Sequence, residues 1–159
     1  MTRTSHPIPT FTCDNVLLEQ LGSADVGELA TQLRNENLPC EDLLTDQRSF
    51  FSFRSNDGTR IGFSGLELCD GDALLRSVVV AKGFRGRGCG RIVVSKTLQE
   101  ASKLGVRRVY LLTTTATTFF SQLGFSEIKR EGAPEAIAKT KEFAVLCPSS
   151  AVLMMRTLK

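Results

Sequence analysis

Glycine and arginine alternate in one short stretch of the chain, residues 85–91, soon after a run of three valines. A short run of β-branched apolar residues predicts a buried strand, and from residue 92 onward the apolar residues recur at helical spacing. A strand, a glycine-rich turn and a helix together predict an anion site, because the first turn of a helix leaves backbone N–H groups unpaired. Glycines let a ligand approach the backbone closely, and arginines add positive charge beside it. We therefore expect an anionic ligand that carries a pyrophosphate.

The order of the glycines separates this turn from two other nucleotide-binding loops. Gly86, Gly88 and Gly90 alternate as G-x-G-x-G, which differs from the G-x-G-x-x-G of dinucleotide-binding folds. The chain also lacks the Gly-Lys-Ser or Gly-Lys-Thr that ends a nucleoside-triphosphate loop. The pattern that these residues fit is R-x-x-G-x-G, with Arg85 as its first residue. The alternative is a basic, glycine-rich surface turn without a ligand.

With R-x-x-G-x-G placed after a valine strand, the chain resembles the GNAT superfamily of acyl-coenzyme-A-dependent N-acyltransferases. In that family the turn wraps the coenzyme A pyrophosphate, and the preceding strand splays from its neighbour and offers backbone groups to the pantetheine arm. The resemblance implies acetyl-CoA as co-substrate, no metal, and backbone N–H groups near Val79 and Val80 that polarise the thioester oxygen. It also implies a set of coenzyme-binding residues: Val78, Val79, Val80, Arg85, Gly86, Arg87, Gly88, Cys89, Gly90 and Arg91.

A second resemblance to the same family lies between Ala116 and Phe125. The family commonly shows Ala-x-x-Phe-Tyr-x-x-x-Gly-Phe there, and Ala116, Phe119, Gly124 and Phe125 match. Phe120 stands in place of the tyrosine, which in the family donates a proton to the departing coenzyme thiolate. Because a phenyl ring cannot donate a proton, that role is unfilled here or belongs to another group or to water. The alternative reading of these phenylalanines is packing in the core.

About the last 90 residues carry a third and narrower resemblance, to the branch of the family encoded beside arsenic-resistance genes. It rests on Leu-Leu-Thr-Thr-Thr-Ala at residues 111–116, Pro-Glu-Ala-Ile at 134–137 and Leu-Cys-Pro-Ser-Ser-Ala at 146–151. The resemblance implies an acetyltransferase linked to arsenic resistance and leaves the acceptor open. Dimers are frequent in the family, so a homodimer is one expected assembly.

Three charged residues on the predicted strands and late helix are candidates for the acceptor end of the site. Glu67 is the candidate general base, acting directly or through water, and the alternative is a solvated carboxylate at a sheet edge. Arg76 lies on a central strand, where a charge needs a partner, so it either binds a substrate carboxylate or pairs with an acid. Glu142, on the late helix, either acts at the substrate or in a charge pair as Arg76 does, or lies on a solvated helix face. Cys69 and Cys147 are either soft thiolate ligands for arsenic or small buried hydrophobic residues.

Composition and length bound the class of protein. With 159 residues, 42% of them hydrophobic and 23% charged, we expect one domain over residues 1–159 that is neither disordered nor membrane-spanning. No apolar run approaches the roughly 20 residues that cross a bilayer, and residues 1–10 are polar, so we expect a cytoplasmic protein. A net charge of +3 is too small to predict a nucleic-acid partner. Five cysteines without a C-x-x-C pair and a single histidine, His6, indicate neither a disulfide framework, a zinc site nor histidine-based catalysis.

The elements that position these residues follow in chain order. Strands are predicted at residues 49–54, 59–69 and 73–81, with the first two joined through Asn-Asp-Gly at 56–58, a strong hairpin signal. A helix follows to residue 104, and then a parallel strand at 107–112. The other predicted elements are a strand within 8–21, a helix capped by Ser23 and closed by Pro39, a helix at 40–47, a helix at 116–124, a strand at 125–130, a helix at 134–145 and a strand at 151–158. Together they predict an α+β fold in α/β/α layers, with a mixed, mostly antiparallel central sheet of about six or seven strands flanked by helices.

The leading hypothesis is an acetyl-CoA-dependent N-acetyltransferase that acts on a small-molecule amine. It combines the family resemblance with the predicted anion site. Two alternatives stay open. One is an acyl-CoA-binding sensor without turnover, which Phe120 favours, and the other is a thiol-based arsenic-binding protein without acyl transfer.

Overall fold

Seven strands form one open sheet in the computed structural model, which describes residues 15–22, 25–38 and 48–158. They are β1 (Leu17–Gln20), β2 (Arg48–Arg54), β3 (Arg60–Cys69), β4 (Asp72–Val80), β5 (Arg108–Thr113), β6 (Ser126–Ile128) and β7 (Val152–Thr157). Their order across the sheet is β1-β2-β3-β4-β5-β7-β6. Neighbouring strands are antiparallel except β4 and β5, which are parallel. The mixed, mostly antiparallel sheet is therefore confirmed.

Helices cover both faces of this sheet. They are α1 (Val26–Asn35), α2 (Cys89–Lys103), α3 (Thr117–Gln122) and α4 (Glu135–Ala138). On one face, α2 and α3 pack in the main core with Phe53. On the other face, α1 packs on Phe50 and α4 packs on Tyr110, so alternate residues of a strand serve opposite layers. The α/β/α layering predicted from the sequence is confirmed. Within the described residues, no helix combines the length and apolar character that a membrane crossing needs.

The meander of β2, β3 and β4 confirms the predicted hairpins. The turn between β2 and β3 is held by Asp57, whose carboxylate accepts hydrogen bonds from the hydroxyl of Ser55 and, at 3.0 Å, from the N–H of Thr59. Gly58 follows with φ of +85°, a left-handed conformation that suits glycine. The Asn-Asp-Gly signal thus sets the register of the strands that carry the site.

β4 leaves its neighbours partway along its length. It pairs with β5 only from Asp72 to Leu74. Against β3 its register shifts, because two residues of β4, Ser77 and Val78, lie opposite the single residue Ser64. Ser77 has φ of +58°, in the left-handed region, as expected for a β-bulge that bends the strand. The second half of β4 therefore diverges from β5 and opens a gap in the sheet.

The helix predicted over residues 134–145 is two shorter elements. α4 ends at Ala138, and a π-helical turn spans Glu142–Leu146. Between them the buried hydroxyl of Thr140 donates to the carbonyl oxygen of Ile137 at 2.7 Å and accepts from the N–H of Phe143 at 3.3 Å. A side chain that bonds the local backbone in this way competes with the helical ladder, so the helix breaks there.

Other helix predictions differ in extent. α2 begins at Cys89 instead of near residue 92, because Gly88 adopts a left-handed conformation, with φ of +79°, and α2 starts directly after it. The predicted cap at Ser23 and the helix predicted at 40–47 lie outside the described residues, as does much of the strand predicted within 8–21.

Candidate active site

A cleft of about 770 Å³ opens where β4 and β5 diverge. The second half of β4, the end of β5, the turn after β4 and the first turn of α2 form its walls. Arg87 does not line it. The other residues predicted to bind coenzyme all do: Val78, Val79, Val80, Arg85, Gly86, Gly88, Cys89, Gly90 and Arg91.

The turn after β4 has a backbone that suits an anion. It begins with a 3₁₀ turn at Lys82–Phe84 and ends at Gly88, directly before α2. Gly86 and Gly88 have φ of +75° and +79°, and a Cβ added at either would meet no heavy atom within 4 Å. The space beside both glycines is therefore open. α2 is 15 residues long, and its first N–H groups have no helical partners, so they can bind a phosphate in that space.

Arg85 links the turn to β4 and to α1. Its Nε donates to the carbonyl oxygen of Val80 at 2.9 Å, and its Nη2 lies 2.5 Å from Oε1 of Glu36, the residue that follows α1. Glu36 also lines the cleft. Sequence reasoning missed Glu36, because 49 residues separate it from Arg85 and no local pattern joins them.

Aromatic rings close one side of the cleft. Phe119 and Phe120 line it with ring centroids 5.0 Å apart, edge to face, and Phe120 packs in turn on Phe125 at 5.7 Å. Glycine at position 90 lets the Phe119 ring lie close to the first turn of α2, because a Cβ there would lie 3.2 Å from Cζ of Phe119. Phe120 is buried in the main core. The predicted core packing is confirmed, and the ring at the position of the family's tyrosine faces the cleft without a proton donor.

A buried row of alternating charges lies beside the cleft. It consists of Arg48 on β2, Glu67 on β3, Arg76 on β4 and Glu142 on the π-helical turn, and we call it the charged row. Nε of Arg48 lies 3.3 Å from Oε2 of Glu67, and Nη1 of Arg76 lies 3.7 Å from the same oxygen. Nε of Arg76 lies 3.5 Å from Oε2 of Glu142. These side chains are 5%, 12%, 1% and 8% exposed in that order, so the row is buried, and its formal charges cancel.

The three residues predicted for the acceptor end do not all line the same cavity. Arg76 and Glu142 line the cleft, whereas Glu67 lines a second cavity of about 300 Å³ beside α4. The alternatives that placed Glu67 at a solvated edge and Glu142 on a solvated face are wrong, because arginines hold both carboxylates inside the protein. Arg76 pairs with acids, as one of its two alternatives predicted, and it also reaches the cleft. The role of Glu67 as general base stays a prediction.

The thiols near the charged row are held in their neutral form. Burial, followed by the neighbouring Glu67 carboxylate, raises the pKa of Cys69 to about 12. Burial and the Glu142 carboxylate do the same for Cys147, whose pKa is also raised to about 12. Both thiols are therefore poor soft ligands near neutral pH. Within the described part of the chain, no three His, Cys, Asp or Glu side chains are grouped to hold a metal ion.

The sequence matches known proteins over part of its length. Residues 18–125 match the sequence model described as the Acetyltransferase (GNAT) family. The chain is 38% identical over 65 residues to an uncharacterized N-acetyltransferase of Chlorobaculum tepidum, and this match covers 41% of each protein. It is 42% identical over 60 residues to an amino-acid acetyltransferase of Mycobacterium tuberculosis, and this match covers 38% of this chain and 33% of that relative. The chain thus matches less than half the length of these curated relatives.

The fold is also similar to that of a solved enzyme. The crystal structure of N-acetylglutamate synthase from Neisseria gonorrhoeae, complexed with coenzyme A and L-arginine, superposes with a TM-score of 0.72. The superposition covers 91% of this chain and 33% of that one, at 20% sequence identity, so the likeness concerns the fold. Since the family match spans more than half of the sequence and the fold agrees with it, the chain belongs to the GNAT family of acetyltransferases.

Proposed function

We propose that this protein is an acetyl-CoA-dependent N-acetyltransferase that acetylates the amine of a small molecule. The observation that carries the proposal is the cleft between β4 and β5, which joins an anion-binding turn at one end to Arg76 and Glu142 elsewhere in its wall. A ligand with a diphosphate at one end and an acyl group at the other fits that order. Coenzyme A is such a ligand.

The turn and the start of α2 fit the diphosphate. The open space beside Gly86 and Gly88 admits phosphate oxygens close to the backbone, and the N-terminal amides of α2 donate to them. Arg85 and Arg91 supply charge from the cleft wall, and Arg87 supplies it from outside. In our proposal, Arg85 releases the Glu36 carboxylate and binds the diphosphate in its place.

The exposed backbone of β4 fits the pantetheine arm. Residues 78–80 lie past the last pair with β5, so one side of the strand is open to a ligand. In our proposal Val78 and Val80 bond the arm, and N–H groups near Val79 and Val80 polarise the thioester carbonyl. Acetyl transfer asks for little more than this, because holding the amine against the thioester supplies several kcal/mol of the barrier.

A general base, acting directly or through water, is needed to take the proton of the acceptor amine. Glu67 is the candidate from the sequence, and from its cavity it acts through water, because Arg76 separates it from the cleft. Replacing Glu67 by glutamine tests the role. A rate that depends on pH as in the unmodified protein removes Glu67 from the mechanism.

Transfer assays separate the proposal from a non-catalytic sensor. Purified protein is incubated with acetyl-CoA and a panel of amines that begins with the amino acids, since relatives include an amino-acid acetyltransferase, and free thiol is followed. Calorimetry measures coenzyme binding in parallel. Release of thiol that depends on one acceptor supports the enzyme. Coenzyme binding with no transfer to any amine supports the acyl-CoA sensor, which Phe120 at the tyrosine position favours.

The tail motifs at 134–137 and 146–151 support a link between this acetylation and arsenic resistance. A strain that lacks the gene is expected to grow less well in arsenite and to recover with the intact protein, but not with the Gly88→Glu variant. Recovery with both forms would favour the thiol-based alternative. The raised pKa values of Cys69 and Cys147 argue against that alternative.

A further inference from the structure

The cleft presents one buried pair of opposite charges to its contents. Nε of Arg76 and Oε2 of Glu142 lie 3.5 Å apart, and both residues line the cleft. Building on the proposed function, we propose that this pair is the acceptor site for an α-amino acid. The substrate carboxylate binds Arg76, and the substrate ammonium binds Glu142, which takes its proton in place of Glu67, the base predicted from the sequence.

Charge balance favours a zwitterion over a simple amine. The charged row holds two arginines and two glutamates in a nearly solvent-free position. A lone ammonium or a lone carboxylate in the row would leave one buried charge without a counterion, which is strongly unfavourable. A zwitterion brings one charge of each sign, so each charge of the row keeps an opposite neighbour. The substrate enters between Arg76 and Glu142, and Arg76 retains Glu67 on its other side.

Arg76 is held in place by more than the two carboxylates. Its Nε donates to the hydroxyl of Ser77 at 3.3 Å, and its guanidinium carbon lies 5.9 Å from the ring centre of Phe50. Gly65 leaves room for this arrangement, because a Cβ there would lie 2.7 Å from the Phe50 ring and 3.4 Å from Cγ of Arg76. Arg76 therefore stays fixed when Glu142 turns toward a ligand. Its planar fork can hold a substrate carboxylate in one orientation.

Glu142 is suited to move and to accept a proton. It lies on a short π-helical turn that follows the break at Thr140, and the thiol of Cys147 donates to its Oε1 at 3.7 Å. The charged groups near it are Arg76 on β4, then Glu67 and Arg48 beyond Arg76, with Arg130 near Cys147. No other carboxylate of the described cleft wall lies on this side of the turn, since Glu36 belongs to the Arg85 end.

The proposed step keeps charge and atoms balanced. The substrate ammonium gives one proton to Glu142, and the neutral nitrogen attacks the carbonyl carbon of the thioester. The carbon–nitrogen bond forms, the carbon–sulfur bond breaks, and the second proton lost by the nitrogen passes to the coenzyme thiolate. Glu142 returns its proton to water after release. Throughout, the substrate carboxylate stays with Arg76, which retains its neighbour Glu67.

Matched acceptors test the proposal. Each L-amino acid is compared with the primary amine that lacks its α-carboxylate, such as tyrosine with tyramine and ornithine with putrescine. We expect kcat/KM for the preferred amino acid to exceed that of its amine by about 100-fold, as for loss of a charged hydrogen bond. Equal kcat/KM values for the two would overturn the inference. This comparison uses the unmodified protein, so it stands even if a variant fails to fold.

Variants assign the two roles. Arg76→Gln is expected to remove the preference for the amino acid mainly through KM, and Arg76→Lys to keep part of it, since lysine keeps the charge and loses the fork. Glu142→Gln is expected to lower kcat about 100-fold or more for both acceptors. Arg54→Gln removes a partly exposed charge and Glu135→Gln an exposed one, and both serve as matched controls. Retained preference in a folded Arg76→Gln protein, or unchanged kcat in Glu142→Gln, would contradict the assignment.

Binding separates failure of the inference from failure of the proposed function. Saturation-transfer NMR is recorded for the amino acids with the protein–coenzyme A complex. Coenzyme binding without contact to any amino acid, or transfer only to amines without a carboxylate, overturns the inference and leaves the coenzyme site intact. Absence of coenzyme binding overturns the proposed function itself.

Discussion

Substitution at Gly88 tests the proposed coenzyme site most directly. Gly88 has φ of +79°, precedes α2, and has open space where a side chain would lie. Any other residue there adopts a left-handed conformation, which costs about 1–2 kcal/mol of stability. Gly88→Ala and Gly88→Glu share that cost. The two variants therefore share the backbone cost and differ in the side chain that they place before α2, and alanine is the matched control for glutamate.

The expected loss of affinity follows from the charge. A glutamate at position 88 places a negative charge beside the proposed diphosphate. Two unit charges about 7 Å apart repel by roughly 2.4 kcal/mol at an effective dielectric constant of 20, which corresponds to roughly a 50-fold rise in Kd. Without ligand, the same glutamate interacts favourably with the N-terminus of α2 by about 0.3–1 kcal/mol. Gly88→Glu should therefore be as stable as Gly88→Ala or slightly more stable, while it binds coenzyme far more weakly.

Calorimetry with coenzyme A and thermal unfolding measure these two quantities independently. Gly88→Ala is expected to bind within about fivefold of the unmodified protein, and the gap between the two variants should narrow at 0.5 M salt as the charges are screened. A folded Gly88→Glu protein that binds coenzyme A as tightly as Gly88→Ala would refute the placement of the diphosphate. Equal weakening of both variants would assign the effect to the backbone and would also contradict the electrostatic reasoning.

Other predictions concern the groups around the cleft and the hairpin. Glu36→Gln should tighten coenzyme A binding by up to about fivefold in calorimetry, because Arg85 no longer gives up a surface ion pair of about 0.2–1 kcal/mol when it binds the diphosphate. Weaker binding would contradict this. Cys69 and Cys147, with pKa values of about 12, should react with a disulfide reagent at pH 8 at least about 100-fold more slowly in the folded than in the unfolded protein, and equal rates would show that they are accessible thiolates. Asp57 has a pKa lowered to about 2 by its turn hydrogen bonds, so its stabilising contribution is present above pH 3.8 and lost as the pH falls through 2. Asp57→Asn should therefore lower the melting temperature at pH 7, and the difference from the unmodified protein should shrink as the pH falls through 2.

The parts of the fold that the sequence predicts well are those set by neighbouring residues. The hairpin of β2 and β3 follows from an Asn-Asp-Gly turn between two alternating runs, and α2 follows from the spacing after the glycine turn. Both signals lie within a few residues of the structure they specify. The residues predicted to bind coenzyme lie in this part of the chain, which explains why nearly all of them line one cleft.

The two ion pairs in the cleft wall join residues that lie far apart in sequence and carry no local signal. Arg76 meets Glu142 across 66 residues, and Arg85 meets Glu36 across 49. Periodicity alone places Glu142 on the outer face of a helix. The burial of Glu142 depends on the break at Thr140. There the hydroxyl of Thr140, instead of a backbone carbonyl, accepts from the N–H of Phe143, and the π-helical turn that follows brings Glu142 to Arg76 on the sheet. A single hydroxyl that changes the course of the backbone is not recoverable from apolar spacing.

β4 contributes residues to both ends of the proposed site, and its bulge lies between the two groups of residues. β4 joins β5 to the rest of the sheet through its first residues, and it then leaves β5 and exposes the backbone edge that we propose binds the pantetheine arm. Pairing with β5 ends at Leu74, and the bulge at Ser77, in the register with β3, follows three residues later. Its left-handed backbone costs about 1–3 kcal/mol, and it also reverses which face the following residues present. Before the bulge, Arg76 is buried in the charged row, and after it Val78 and Val80 line the open edge. The residue in the left-handed conformation therefore lies between the proposed acceptor half and the proposed coenzyme half of the site.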